Sequence, residues 1–214
     1  MRSRSGATHV SARAAILAVL ASACAPRTPP DPPRVELLEL TPAIEDHVLV
    51  LGTRGAAEPG LDVVGLSLDR TSERTLGFVA ADGSFLLEVP GLEGDVLRIQ
   101  LEEAGLRSTP LDVIASFGTP DAWTPALPCL RVPSAIDLAT TSAIAITNDC
   151  QEPVSIALAL RTPAPLTIGE PETNVPPGDT IDIALARTGP VDVVVLLHVT
   201  APLTDRRAIS VLGR

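Results

Sequence analysis

The residues with the most potential for chemistry are the histidines and the acids beside them. Glu45, Asp46 and His47 are adjacent and carry the oxygen and nitrogen donors that divalent metals bind. They open an alternating run, however, and adjacent residues on a strand point to opposite faces of a sheet. We therefore expect no metal site there. His198 lies in the apolar run 193–199, where we interpret it as a satisfied core or edge imidazole rather than a catalytic base.

No catalytic motif accompanies these residues. The sequence contains no H-E-x-x-H, G-x-S-x-G or Walker loop, and segment 65–68 (GLSL) lacks the second glycine of a nucleophile elbow. The acids are dispersed without calcium-loop spacing. We interpret Glu102–Glu103 and the Asp179/Asp182 group as solvated faces. We predict no catalytic residue, no metal and no cofactor; a hydrolase using dispersed carboxylates would instead need two facing acids in one pocket.

The N-terminal 23 residues have the layout of a secretory signal. Arg2, Arg4 and Arg13 give a positively charged start without acids, and His9 lies among them. About ten small or apolar residues follow, roughly half the ~20 that a membrane span needs. We predict a protein that leaves the cytoplasm.

The end of this leader, LASAC at 20–24, resembles a bacterial lipobox, in which small residues precede a lipidated cysteine. The resemblance implies lipidation of Cys24 and a membrane-anchored lipoprotein. It would also leave Cys129 and Cys150 as a pair, and we predict that they form a disulfide in an oxidising envelope. The alternatives are an ordinary signal peptide cleaved near Ala23 or Ala25, and two separate thiols. Ala25, in place of Asp, favours the outer membrane.

Composition indicates a folded, acidic protein. The net charge is −10, all 16 basic residues are arginine, and 45% of the residues are hydrophobic. Without the three leader arginines, 13 basic groups stand against 26 acids, a net charge of −13. A surface of that sign repels phosphate backbones, so we predict no nucleic-acid partner. Only three Phe, one Trp and no Tyr are present, so the core must consist of Leu, Val, Ile and Ala.

Residues 24–33 are proline-rich and predict an extended tether.

From 34 to 116 the pattern has period two, with seven short strands expected for a β-sandwich. The run 95–102 alternates Leu97, Ile99 and Leu101 with polar residues, which predicts one buried face. Asp82-Gly83 predicts a hairpin turn. The order of LGTRG, ADGSF and VPGL motifs over 51–110 resembles bacterial Ig-like and carboxypeptidase-regulatory-like modules, which implies a spacer or adhesive domain without catalytic residues.

Residues 117–128 contain three prolines and predict a linker between domains. Trp123 lies in this linker. We expect it to pack between the two domains and name it a candidate partner contact.

Residues 129–214 predict a second seven-strand sandwich. The predicted core face of this block carries eight Leu and Ile side chains: Ile144, Ile146, Ile156, Leu158, Leu160, Ile181, Ile183 and Leu185. The segments around 143–161 and 175–186 (ITND, VPPGD) resemble Ig-like domains of the major-sperm-protein and hydin type. The sequence thus predicts an all-β chain of two tandem Ig-like β-sandwiches.

The function that we expect is a non-enzymatic, lipid-anchored envelope protein that acts as a structural or protein-binding module. Its expected partners are the membrane, through the lipid, and another envelope protein that pairs with an edge strand. The alternative is a carbohydrate or small-molecule binding module of the cell surface.

Overall fold

The computed structural model describes residues 28–42 and 46–214. The leader and Cys24 therefore lie outside the described residues. Within them the chain is all-β, which confirms the predicted fold class at that level. Residues 28–34 have no regular secondary structure, and a short 3-10 helix spans Val35–Leu37. In the described part of the chain, no helix has the length and apolar character to cross a membrane.

Eight strands form in the N-terminal half, which we define as the described residues up to 116. They are β1 (Leu38–Pro42), β2 (His47–Gly52), β3 (Asp62–Ser67), β4 (Thr75–Phe78), β5 (Phe85–Pro90), β6 (Val96–Glu103), β7 (Leu106–Arg107) and β8 (Leu111–Ile114). Sheet I has the order β1-β2-β5. Sheet II has the order β4-β3-β6-β7, and β8 also pairs with β6. The described ladders of both sheets are antiparallel.

Sheets I and II face each other across one hydrophobic core. Alternation places every second residue inward, so Val50 of β2 and Leu87 of β5 meet Ile99 and Leu101 of β6 in the same cluster. Each of these side chains is almost completely buried. Facing sheets around such a core are the arrangement of a β-sandwich.

The C-terminal half, residues 129–214, contains nine described strands. They are β9 (Leu130–Arg131), β10 (Ala135–Asp137), β11 (Ala143–Asn148), β12 (Val154–Leu160), β13 (Leu166–Ile168), β14 (Glu172–Val175), β15 (Thr180–Arg187), β16 (Val191–Ala201) and β17 (Asp205–Gly213). Sheet III has the order β10-β17-β16-β12-β14, with β10 parallel to β17. Sheet IV has the order β13-β15-β11-β9. All eight predicted core residues of this half lie in or against the core between these sheets, which confirms the predicted face.

The two halves pack together through the outer faces of sheets II and III. A third cluster joins Leu66, Leu68 and Val96 from the N-terminal half to Val194 and Ala208 from the C-terminal half. Strand β6 is consequently buried on both faces, with Arg98 1% and Gln100 2% exposed. The prediction that β6 has only one buried face is therefore wrong, because sheet III covers its polar face.

The predicted turn at Asp82-Gly83 forms, but it does not close a two-stranded hairpin. Gly83 has a φ of 82°, a conformation that glycine adopts without strain, and Ser84 Oγ donates to Asp82 Oδ1 at 2.6 Å. The strands on either side belong to different sheets, β4 to sheet II and β5 to sheet I. The turn therefore carries the chain across the core from one sheet to the other.

Candidate functional site

The predicted site residues have different outcomes. Cys129 and Cys150 form the predicted disulfide, with their Cα atoms 5.0 Å apart. Both pack against the C-terminal core. Cys24 lies outside the described residues, so its lipidation stays a prediction. His198 is exposed on β16, which lies between β12 and β17, so the interpretation of a core or edge imidazole is wrong. The N-terminal half covers the outward face of β16 from Asp192 to Leu196, and His198 lies further along the strand.

Trp123 packs against the cluster between the two halves. It is half-buried, and the guanidinium carbon of Arg207 lies 5.9 Å from its ring centroid, within cation–π range. Arg207 pairs with Asp205 at 2.9 Å. The Asp205 carboxylate also accepts the backbone N–H groups of Ala126 and Leu127. The side chains of β17 thus hold the end of segment 117–128, and Trp123 packs between the halves as expected.

A groove separates the outer edges of β4 and β5. The edges are close at Gly77, where an added Cβ would lie 3.0 Å from the carbonyl oxygen of Leu86. The groove has a volume of about 380 Å³ and is lined by the following residues: His47, Thr75, Leu76, Leu86, Leu87 and Glu88. We call it the β4/β5 groove. Each bordering strand ends its described sheet, so both carry main-chain groups on an outer edge.

Large apolar side chains are exposed around the β4/β5 groove. Leu76 is 66%, Phe78 62% and Leu86 60% exposed. Leu51 lies directly opposite Leu86 in the β2–β5 ladder and is 38% exposed. Several large apolar side chains exposed near one groove are typical of an interaction site.

A cleft of about 590 Å³ lies where the two halves meet, beside the third cluster. We call it the interhalf cleft. The N-terminal half contributes Leu66, Thr71, Ser72, Glu73, Arg74, Leu76, Gln100 and Arg107. The C-terminal half contributes Arg161, Thr162, Asp192, Val193, Val194 and Ser210. Its volume lies in the range of small-molecule sites, about 300–1,000 Å³.

An ion-pair network crosses the interhalf cleft. Asp192 of β16 accepts two bonds from Arg107, each 2.7 Å, and also pairs with Arg74. Arg107 pairs with Glu102 as well, at 2.9 Å. Burial would raise the pKa of Asp192, but hydrogen bonds and the charges of Arg107 and Arg74 outweigh it and hold this pKa below its ordinary value. Asp192 is therefore ionised, and the charges of Arg107 and Arg74 balance the charge of its carboxylate.

The described residues contain no group of three or more histidines, cysteines or acids that could hold a metal ion. The only acid other than Asp192 in the interhalf cleft is Glu73. The chain matches no protein-family model, and no curated protein matches it either.

No motif or spacing in the sequence indicates Arg98, Arg161 or Ser72 as functional residues. Arg98 lies on the polar side of an alternating run, which predicts a strand face in contact with solvent. Ser72 and Arg161 belong to no motif. Their relation arises only when sheets II and III meet, so no local pattern could reveal it.

Proposed function

We propose that this protein is a non-enzymatic, lipid-anchored protein of the cell envelope, most simply of its outer membrane, that binds another envelope protein through the β4/β5 groove. In this proposal the two sheets of each half form one Ig-like domain. The chain then carries two such domains in tandem, residues 34–116 and 129–214. Residues 24–33 tether them to lipidated Cys24. The observation that carries the proposal is the exposure of Leu76, Phe78 and Leu86 beside two strand edges.

The proposed occupant is an extended, apolar segment of the partner, with basic residues at its ends. An extended segment can pair with the outer main chain of β4, as in β-augmentation. The hydrogen bonds between β3 and β4 support this. The Val79 N–H donates to Leu61 O, and along an antiparallel strand every second residue bonds to the neighbouring strand. The main-chain groups of Leu76 and Phe78 therefore point away from β3. Asp62 and Glu88 are exposed nearby, which favours basic flanks.

Crosslinking from within the groove tests this proposal. A photo-crosslinking amino acid replaces Leu86 in one variant of the full chain and Leu203 in another. Leu203 is a matched control because it is also exposed, at 57%, but does not line the groove. We expect a discrete crosslinked envelope protein from position 86 only, lost when Phe78→Glu is added. Equal products from both positions would contradict the proposal.

The anchor is tested separately. Metabolic labelling with palmitate should mark the native chain, and Cys24→Ser should abolish the label and release the protein from the membrane fraction. Unlabelled protein with unchanged fractionation would contradict the lipid anchor and leave the groove proposal intact.

The alternative function, binding of a carbohydrate or small molecule, is favoured by one observation, the volume of the interhalf cleft. A glycan array and a thermal-shift screen distinguish the two functions. A sugar that raises the melting temperature of the full chain would favour the alternative.

A further inference from the structure

The interhalf cleft contains a cation that no described acid neutralises. Arg161 is half-buried, and its Nη2 donates to the main-chain oxygen of Ser72 at 2.9 Å. The ion pairs of the described chain do not include it, although they include the cleft residues Arg74 and Arg107. Burial lowers the pKa of Arg161, and no acidic group offsets that effect.

Two buried donors at this place have no hydrogen-bond partner among residues 28–42 and 46–214. They are Nε of Arg161 and Oγ of Ser72. Buried polar groups are nearly always hydrogen-bonded, so such atoms require an explanation. A guanidinium N–H can only donate, and a hydroxyl can donate as well. The group that would satisfy both is therefore an acceptor.

The charge of the interhalf cleft favours an anion. Arg74 and Arg107 share Asp192, as described above, and Glu73 is exposed at the rim. The lining contains three arginines and two acids, and Glu102, which pairs with Arg107, balances the third arginine. Arg161 is therefore the lining arginine that has no ion pair among the described residues, and an arginine of this kind is a position for an anionic ligand.

The remaining lining suggests what the anion carries. Leu66, Leu76, Val193 and Val194 contribute apolar surface to the same cleft. We infer that the interhalf cleft binds a small organic anion, a carboxylate or a phosphate monoester on an apolar body, whose anionic oxygens are held by Arg161 and Ser72. Arginine suits both head groups, because its planar donors can form two parallel bonds to either.

Calorimetric titration of the full chain with three six-carbon probes tests the inference. The probes are sodium hexanoate, hexyl phosphate and the neutral control hexanol. We expect at least one anion to bind, with hexanol at least about 10-fold weaker, since charge-assisted hydrogen bonds supply that difference. The tighter of the two anions identifies the head group. Binding of hexanol as tight as that of both anions, or no binding of either anion, would overturn the inference.

Variants locate the site. Arg161→Gln should weaken anion binding at least about 10-fold, while Arg131→Gln, which removes an exposed arginine outside the cleft, should leave it unchanged. Ser72→Ala should weaken anion binding by a smaller factor. The change removes no described hydrogen bond of the Ser72 hydroxyl, so this variant tests the site if Arg161→Gln does not fold. Unchanged affinity in the folded variants would refute the site. Phe78 and Leu86 do not line this cleft, so a failure here is distinguishable from a failure of the protein-binding proposal.

Discussion

Arg98 and Asp112 lie opposite each other on β6 and β8 and form an ion pair with two hydrogen bonds of 2.7 Å. The same guanidinium crosses to the C-terminal half. It donates to the main-chain oxygen of Ala208 at 2.6 Å and to Ser210 Oγ at 2.9 Å. Because Arg98 is 1% exposed, one side chain joins both halves inside a region that excludes water.

Arg98→Met should destabilise the protein by about 3 kcal/mol, because it removes the donor from the partly buried Asp112 carboxylate and from the buried Ala208 carbonyl. Methionine retains most of the apolar stem of the arginine. The loss of stability therefore measures the missing polar contacts rather than the cost of a cavity. Urea unfolding provides the measurement. Arg131→Met is the control: its pair with Asp149 is exposed, and the change should stay within about 0.5 kcal/mol.

Replacing both members of the pair, Arg98→Met with Asp112→Leu, should restore part of that stability, since no unpaired charge then remains. A double variant whose loss of stability exceeds the sum of the losses in the two single variants would contradict this account of the pair.

Acid should weaken the contact between the halves. Burial would raise the pKa of Asp69, but its hydrogen bond and charge interaction with Arg206, a bond from the Val96 N–H and the charge of Arg70 keep it below the ordinary value. The pKa of Asp192 is lowered likewise, mainly through Arg107. A lowered folded-state pKa means that the unfolded chain binds protons first as the pH falls. The resulting stability is therefore present above about pH 4 and is lost as the pH falls through the folded-state values.

Urea unfolding at a series of pH values between 7 and about 2.5 measures this effect. The double variant Asp69→Asn with Asp192→Asn should show a flatter dependence on pH than the native chain. Asp149→Asn removes an exposed carboxylate that pairs within the C-terminal half and should retain the native dependence. An equally steep acid loss in the double variant would assign the effect to other carboxylates.

The strands could be predicted from the sequence because alternation follows directly from burial on one side of a sheet. Seven strands are predicted in each block, and the described structure has eight up to residue 116 and nine in residues 129–214. The strands β7, β10 and β14 are not predicted, because each carries only one large apolar side chain and so shows no alternation.

The contact between the halves could not be predicted in the same way. A polar residue on a strand face normally indicates solvent, so Arg98 and Gln100 gave the wrong expectation for β6. Their partners are contributed by β17, which lies more than a hundred residues away in sequence. The cleft residues Ser72 and Arg161 depend on the same contact. Only tertiary packing brings them together.

Removal of the disulfide should lower the stability of the C-terminal half. Cys129 and Cys150 are separated by 21 residues, and closing a loop of that length contributes about 3 kcal/mol through the entropy of the unfolded chain. The variant Cys129→Ser with Cys150→Ser should unfold at correspondingly lower urea concentration, and reductant should have no further effect on it. Cys24→Ser is the control and should unfold as the native chain does.

Trp123 is the only tryptophan of the chain and therefore reports on the packing between the halves. Leu66 is 7% exposed in the same cluster, and Leu66→Asp would bury a charge there without a partner. We expect the emission of Trp123 to shift to longer wavelength as water reaches the indole, while far-ultraviolet circular dichroism retains the strand signal because the two main cores do not include Leu66. Leu203→Asp introduces the same charge at an exposed position and should leave the emission unchanged. An unshifted spectrum in folded Leu66→Asp would mean that Trp123 does not depend on this contact.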